Sequence, residues 1–286
     1  MFLFQFRHET GKIGSQGQKK IENEIEIIKA HAMSPDQSYS FLLKKAAECK
    51  VLLIGEAPHY QTKMDYFIAA LLPKLKKMGY NYYVMEAKTS AQPFVDRYLR
   101  GEISVKKLQR SFIDLADTCD VVFETCKKLG IKIIFNDARR SSIIDPLPPG
   151  FKNQTEKERF DYIHSVVPID AKMIVHYGAG HTTYAYGKTT DPDPLNGITL
   201  PTIGQFFKEK FGDGAYSVLF AEESSLTLPQ NNVPMWKKEG GIETRYFGNR
   251  QIRMPDGELA YFKDWDIIVN LEYQGRYKPP KTEFFH

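Results

Sequence analysis

A three-layer α/β fold, with a mostly parallel sheet covered by helices on both faces, is what this sequence predicts, and two observations carry the prediction. Short apolar or β-branched runs recur along the chain: Val51-Leu52-Leu53-Ile54, Tyr80 to Met85, Ile131 to Phe135, Lys172 to Val175, Ala215 to Ala221 and Trp265 to Leu271. Segments with apolar residues at helical spacing stand between most of them, and strands separated in this way by roughly 30 or more residues imply right-handed crossovers and parallel pairing.

Each element has its own signal. Phe41, Leu42, Ala46 and Ala47 suit an amphipathic helix from Ser40 to Lys50, which leads into the first apolar run and Gly55. Met64 to Lys77 repeats the pattern ahead of the second run, although Pro73 sits awkwardly late in that helix. Helices are expected near Pro93 to Arg100, Val105 to Phe112 and Val121 to Lys128, the last closed by Gly130 as a C-cap. A Pro-rich connection from Asp145 to Pro149 precedes a helix near Glu156 to Ser165, and Ile203 to Phe211 forms another that ends at Gly212. The segment near 224–257 is rich in Pro, Asn and Gly without a clear period, so it reads as an irregular excursion or small subdomain. Residues 1–35 read as an arm with a short helix, 36–275 as a single α/β domain and 276–286 as a loose tail.

Bulk properties narrow the function classes. Among 286 residues, 42% are hydrophobic and 26% charged, which is ordinary globular composition. The 39 basic and 35 acidic residues are interspersed, so nothing calls for a nucleic-acid partner. Cys49, Cys119 and Cys126 are too few and too irregularly spaced for a disulfide framework or a CxxC zinc site, and read as buried thiols. The opening Met1 to Phe6 lacks the basic region and length of a secretory signal, and no stretch approaches the ~20 apolar residues of a membrane span. The expectation is a cytoplasmic protein that takes a small-molecule or peptide substrate. Secretion as an effector stays open, and the sequence sets no oligomeric state.

In open parallel sheets the site lies beyond the carboxyl ends of the strands, so the residues just after each apolar run are informative. Glu56 and His59 come after the first, Glu86 after the second, Asp137, Arg139 and Arg140 after the third, and His176 and His181 after the fourth. Gathering three carboxylates and three imidazoles at one edge costs desolvation and repulsion unless protons, cations or substrate compensate. Chemistry suggests the roles. One of Glu56 and Glu86 acts as an acid while an imidazole activates water. Gly178 and Gly180 let backbone amides approach a substrate oxygen, and Arg139 or Arg140 holds an anionic group. His59, Glu86 and His181 would equally make a two-His, one-carboxylate metal site.

Gly55-Glu56-x-x-His59, Glu86-Ala87, Phe94 to Glu102 and Gly178-Ala179-Gly180-His181 together resemble the erythromycin esterase-like and ChaN-like haem-binding uptake group, with the related TIKI and TraB proteins; the resemblance spans residues 48–221. It implies a bacterial hydrolase with Glu56, His59, Glu86 and His181 as its centre in the esterase branch, a divalent metal in the TIKI branch, and haem bound through tyrosine in the ChaN branch. The haem implication is the weakest, because Tyr60, Tyr177, Tyr184 and Tyr186 have no distinctive spacing. Beside the hydrolase stand a haem- or ligand-binding module and a toxin or effector domain on the same scaffold.

Overall fold

The structure is a computed structural model that describes Glu26, Ala30 and residues 32–57, 62–110, 119–137, 154–184, 201–222, 227–228, 233–234, 240–243, 251–253, 259–261 and 265–271. Most of the expected arm, with the tail, the Pro-rich connection, His59, Tyr60, Arg139, Arg140 and Tyr186, lies outside the described residues.

Helix α1 (Pro35–Glu48) leads into β1 (Val51–Ala57), α2 (Thr62–Lys77), β2 (Tyr80–Lys88), α3 (Gln92–Leu99) and α4 (Val105–Arg110). After α5 (Asp120–Leu129) come β3 (Lys132–Asp137), α6 (Glu156–Val166), β4 (Lys172–Gly178), the single turn α7 (Ala179–Thr182), α8 (Ile203–Phe211) and β5 (Ala215–Glu222). The chain then forms β6 (Thr227–Leu228), β7 (Val233–Pro234), β8 (Gly240–Glu243), β9 (Gln251–Arg253), β10 (Leu259–Tyr261) and β11 (Ile267–Leu271).

A seven-stranded sheet runs in the order β3-β2-β4-β1-β5-β11-β8. Every pair is parallel except β11 with β8. Strand β4 inserts between β1 and β2, which sets the carboxyl ends of these three strands side by side. Alternation along each strand divides the core in two. Leu52, Ile54, Tyr83, Met85 and Ile174 pack with α1, α2 and α5 on one face. Val51, Leu53, Val84, Val175 and Tyr177 pack with Phe160 and Ile163 of α6 and Phe207 of α8 on the other. The expected mostly parallel three-layer architecture is therefore present, with near-continuous apolar strands because both faces are covered.

Several boundaries differ from the sequence reading, for local reasons. Helix α1 starts before Ser40, because Ser34 and Gln37 form a capping box and Pro35 occupies the first turn. Helix α2 continues through Pro73, which lies on its exposed side. Strands β1, β2, β3 and β4 run on past their apolar stretches to Ala57, Lys88, Asp137 and Gly178, so Glu56, Glu86, Asp137 and His176 are strand residues and not loop residues. The 224–257 segment is not wholly irregular. It carries β8, which extends the main sheet antiparallel to β11, and three strands of a second sheet in the order β10-β9-β6-β7. Gly130 closes α5 in the left-handed conformation expected of a C-cap, with φ of 65°.

The α6–α8 layer contains an imidazole in an aromatic setting. The ring of His164 stands 4.5 Å from Phe160 and 5.7 Å from Phe207, and neither of its buried nitrogens has a hydrogen-bond partner among the described residues. Burial and then the positive Lys210 push its pKa below the ordinary imidazole value, against a smaller upward pull from Asp161. The folded state thus favours the neutral ring. His164 contributes stability at pH above about 6.5, the value of the unfolded ring, and loses it as the pH falls below that toward the lowered folded value. Thermal melts at pH 7.5 and 5 should show a larger acid-side loss for the wild type than for His164→Phe. Equal losses would remove His164 from the acid response.

Candidate active site

Register places the ionisable residues. Glu56 of β1 is paired with Gly178 of β4, and His176 of β4 with Met85 of β2, one residue before Glu86. Alternation then separates them. Glu56 and His176 turn toward the α1–α5 face, whereas Glu86 turns toward the α6–α8 face and meets His181 of α7. Glu56, Glu86, His176 and His181 accordingly form two imidazole–carboxylate pairs flanking the carboxyl end of β4.

In the first pair His176 Nε2 lies 3.7 Å from Glu56 Oε2. Its Nδ1 is 2.6 Å from the hydroxyl of Tyr83. Burial first, and then Asp65 and other neighbouring groups, raise the Tyr83 phenol well above its ordinary pKa, so the hydroxyl keeps its proton and can donate to Nδ1. With the hydroxyl as donor, the ring proton sits on Nε2, the nitrogen nearer Glu56.

In the second pair His181 Nε2 lies 3.4 Å from Glu86 Oε1. The other Glu86 oxygen accepts the backbone N–H of Gly178 at 2.8 Å, which fixes the carboxylate against the end of β4. That amide therefore donates to Glu86, while Gly180 lies within α7. On its far side His181 Nδ1 is 2.7 Å from Glu156 Oε1 at the start of α6. Glu156 also accepts from Arg159 Nη1 at 2.5 Å and from the backbone N–H of Ile203 at 3.1 Å. Arg159 Nη2 reaches Asp137 Oδ1 at 3.3 Å, which joins Asp137 to the same network.

Glu156, Arg159 and Tyr83 were not among the residues expected from the sequence. A signal for two of them exists: Glu156, Arg159, Phe160 and Ile163 form one buried helical stripe, and two charges inside such a stripe require partners. Tyr83 gives no such signal, since a tyrosine in a buried strand is ordinary core.

Two glycines hold α7, and with it His181, in place. A Cβ on Gly55 would stand 2.2 Å from Thr182 Oγ1, and one on Gly204 would stand 2.3 Å from the Thr182 carbonyl oxygen. Thr182 also lies 3.4 Å from the indole nitrogen of Trp265, and its carbonyl accepts the Ser217 hydroxyl at 2.9 Å. The turn that carries His181 is thus wedged between β1, β5 and the first turn of α8.

Two of the tyrosines in the haem reading are committed elsewhere. Tyr177 donates to the Asn136 carbonyl at 2.6 Å, and Tyr184 to Asp266 at 2.7 Å, so both phenols serve the core. Among the described residues no group of three or more His, Cys, Asp or Glu side chains is arranged to hold a metal ion. Of the ligand set His59, Glu86 and His181, the first lies outside the described residues and both nitrogens of the last already face carboxylates. The described donors do not by themselves form that metal site. No described helix is long and apolar enough to cross a membrane.

No family model and no curated protein matches the chain. Solved structures share its architecture. A protein described as a succinoglycan biosynthesis protein aligns with a TM-score of 0.65 at 13% identity, over 89% of this chain and 97% of its own. A protein from Bacillus cereus aligns with a TM-score of 0.59 at 14% identity, over 88% and 97% respectively. The type III effector HopBA1 is more distant, with a TM-score of 0.43 at 16% identity over 84% of this chain and 95% of its own. The first two define the class as a three-layer α/β domain. These comparisons show the fold and no family, so the erythromycin esterase-like group stands only as a resemblance in the sequence motifs.

The wedge makes a prediction. Gly55→Ala forces its new methyl into Thr182, at a cost of about 1 to 3 kcal/mol for overpacking. A lowered thermal midpoint and a shifted His181 ring resonance are the expected results. A variant as stable as wild type with an unmoved His181 signal would show that α7 is not clamped there.

Proposed function

We propose that the chain is a hydrolase of esters, lactones or amides in which the His181–Glu86 pair activates water. The 3.4 Å approach of His181 Nε2 to Glu86 Oε1 carries this reading. With its Nδ1 proton directed at Glu156, His181 presents a lone pair at Nε2, and an ionised Glu86 presents another beside it. Two acceptors in contact repel unless hydrogen lies between or against them. One water that donates a hydrogen to each satisfies both and keeps an oxygen lone pair for attack.

The cycle then balances without a further reagent. The water oxygen bonds to the substrate carbonyl carbon as its proton passes to the pair, which gives a tetrahedral intermediate. The intermediate collapses with cleavage of the bond to the leaving oxygen or nitrogen, and the pair returns its proton to that atom. Glu86 orients the water and shares the proton, and His181 is the base. Glu56 and His176 stand on the other flank of β4, where the Nε2 proton of His176 and the Glu56 carboxylate are suited to orient the substrate. His59, in the Gly55-Glu56-x-x-His59 motif, is a further candidate for the same centre.

General acid–base groups contribute about 10² to 10⁴ in rate. On a panel of chromogenic esters and amides, His181→Ala and Glu86→Gln should each lose about 10² or more in kcat/KM while keeping a native far-UV circular dichroism spectrum. A folded variant of either kind with undiminished turnover, or a wild type inert across the panel, would contradict the proposal.

A further inference from the structure

We infer that Glu156 is the positioning residue that sets the tautomer of His181, holding the proton on Nδ1 so that Nε2 is left as the base. The inference rests on the hydrolase reading for its purpose but not for its test. Glu156 is fully buried, which for an acid is rare unless its charge is compensated. Here donors meet both carboxylate oxygens. Oε1 accepts from Arg159 Nη1 and Oε2 from the Ile203 N–H.

Two further features place positive charge around this carboxylate. Glu156 is the first residue of the eleven-residue α6, and Ile203 is the first residue of the nine-residue α8, so the carboxylate lies where the positive ends of two helices meet. Arg159 is itself fully buried and held at both ends of its guanidinium by Glu156 and Asp137. Both carboxylate oxygens of Glu156 already face donors, so each serves as an acceptor. The 2.7 Å contact with His181 therefore requires the imidazole to donate from Nδ1.

The neighbouring groups hold the ring in the same orientation. Tyr177 packs edge-on against it with centroids 5.6 Å apart. The Tyr177 hydroxyl bonds the Asn136 carbonyl, and the Asn136 amide bonds the Arg159 carbonyl at 2.9 Å. The end of β3, the first turn of α6 and the end of β4 thus form one connected frame around His181. A flip of the ring about its Cβ–Cγ bond would turn Nδ1 away from Glu156 and Nε2 away from Glu86.

Long-range proton–nitrogen correlation spectra of the full chain with 15N-labelled histidine read the tautomer without substrate. His181→Asn assigns the signal, and the ring is observed above its titration so that it carries one proton. The wild type should show the neutral ring protonated on Nδ1. In Glu156→Gln the amide NH2 can face the ring, and the proton should move to Nε2, with a loss in kcat larger than any rise in KM. A wild-type ring protonated on Nε2, or a folded Glu156→Gln whose ring keeps its proton on Nδ1, would overturn the inference. The wild-type result stands even where the variant fails to fold. Absence of hydrolysis with a Nδ1-protonated ring would count against the hydrolase reading alone.

Discussion

The buried carboxylate of Glu156 binds together parts of the chain that are distant in sequence. It receives the imidazole just beyond β4, the guanidinium of its own helix and the first amide of α8, and through Arg159 it reaches Asp137 at the end of β3. A charge in the interior is strongly unfavourable when one partner is removed, because the remaining charge is left uncompensated. That asymmetry makes the network an all-or-none arrangement. The orientation of His181, its proton and its approach to Glu86 all depend on Glu156 staying in place as an acceptor.

The sheet topology sets where that network can form. Insertion of β4 between β1 and β2 places Glu56, Glu86 and His176 at neighbouring strand ends, and alternation then sends Glu86 to one face while Glu56 and His176 turn to the other. Close packing of α7 onto Gly55 and Gly204 does the rest, since the turn has no room to shift without colliding with β1 or α8. Positional precision at the candidate centre thus arises from backbone contact and is then read out by side chains.

Much of this was legible in the sequence because burial on both faces of a parallel sheet writes strands as apolar runs, and those runs located β1 through β5 and β11. Glu56, Glu86, Asp137 and His176 stood out as ionisable residues at the ends of such runs. Their place inside the strands was not legible, because ladder hydrogen bonding continues regardless of side-chain polarity once a neighbour is available. Glu156 and Arg159 were hidden for a related reason. A charged residue at the start of a helix looks like an N-terminal cap or a solvated face, and only the tertiary fold reveals that this face is buried. The 224–257 segment withheld its strands because pieces of two to four residues are too short to show alternation.

The central claim is that His181 and Glu86 act as one proton-handling unit. A double-mutant cycle on kcat/KM with His181→Ala, Glu86→Gln and the double variant tests it directly. Groups that act as a unit are strongly non-additive, because the first loss removes what the second residue contributes. The double variant should therefore be about as slow as the slower single variant. Losses that multiply across the two positions would contradict the account and show two residues with independent roles.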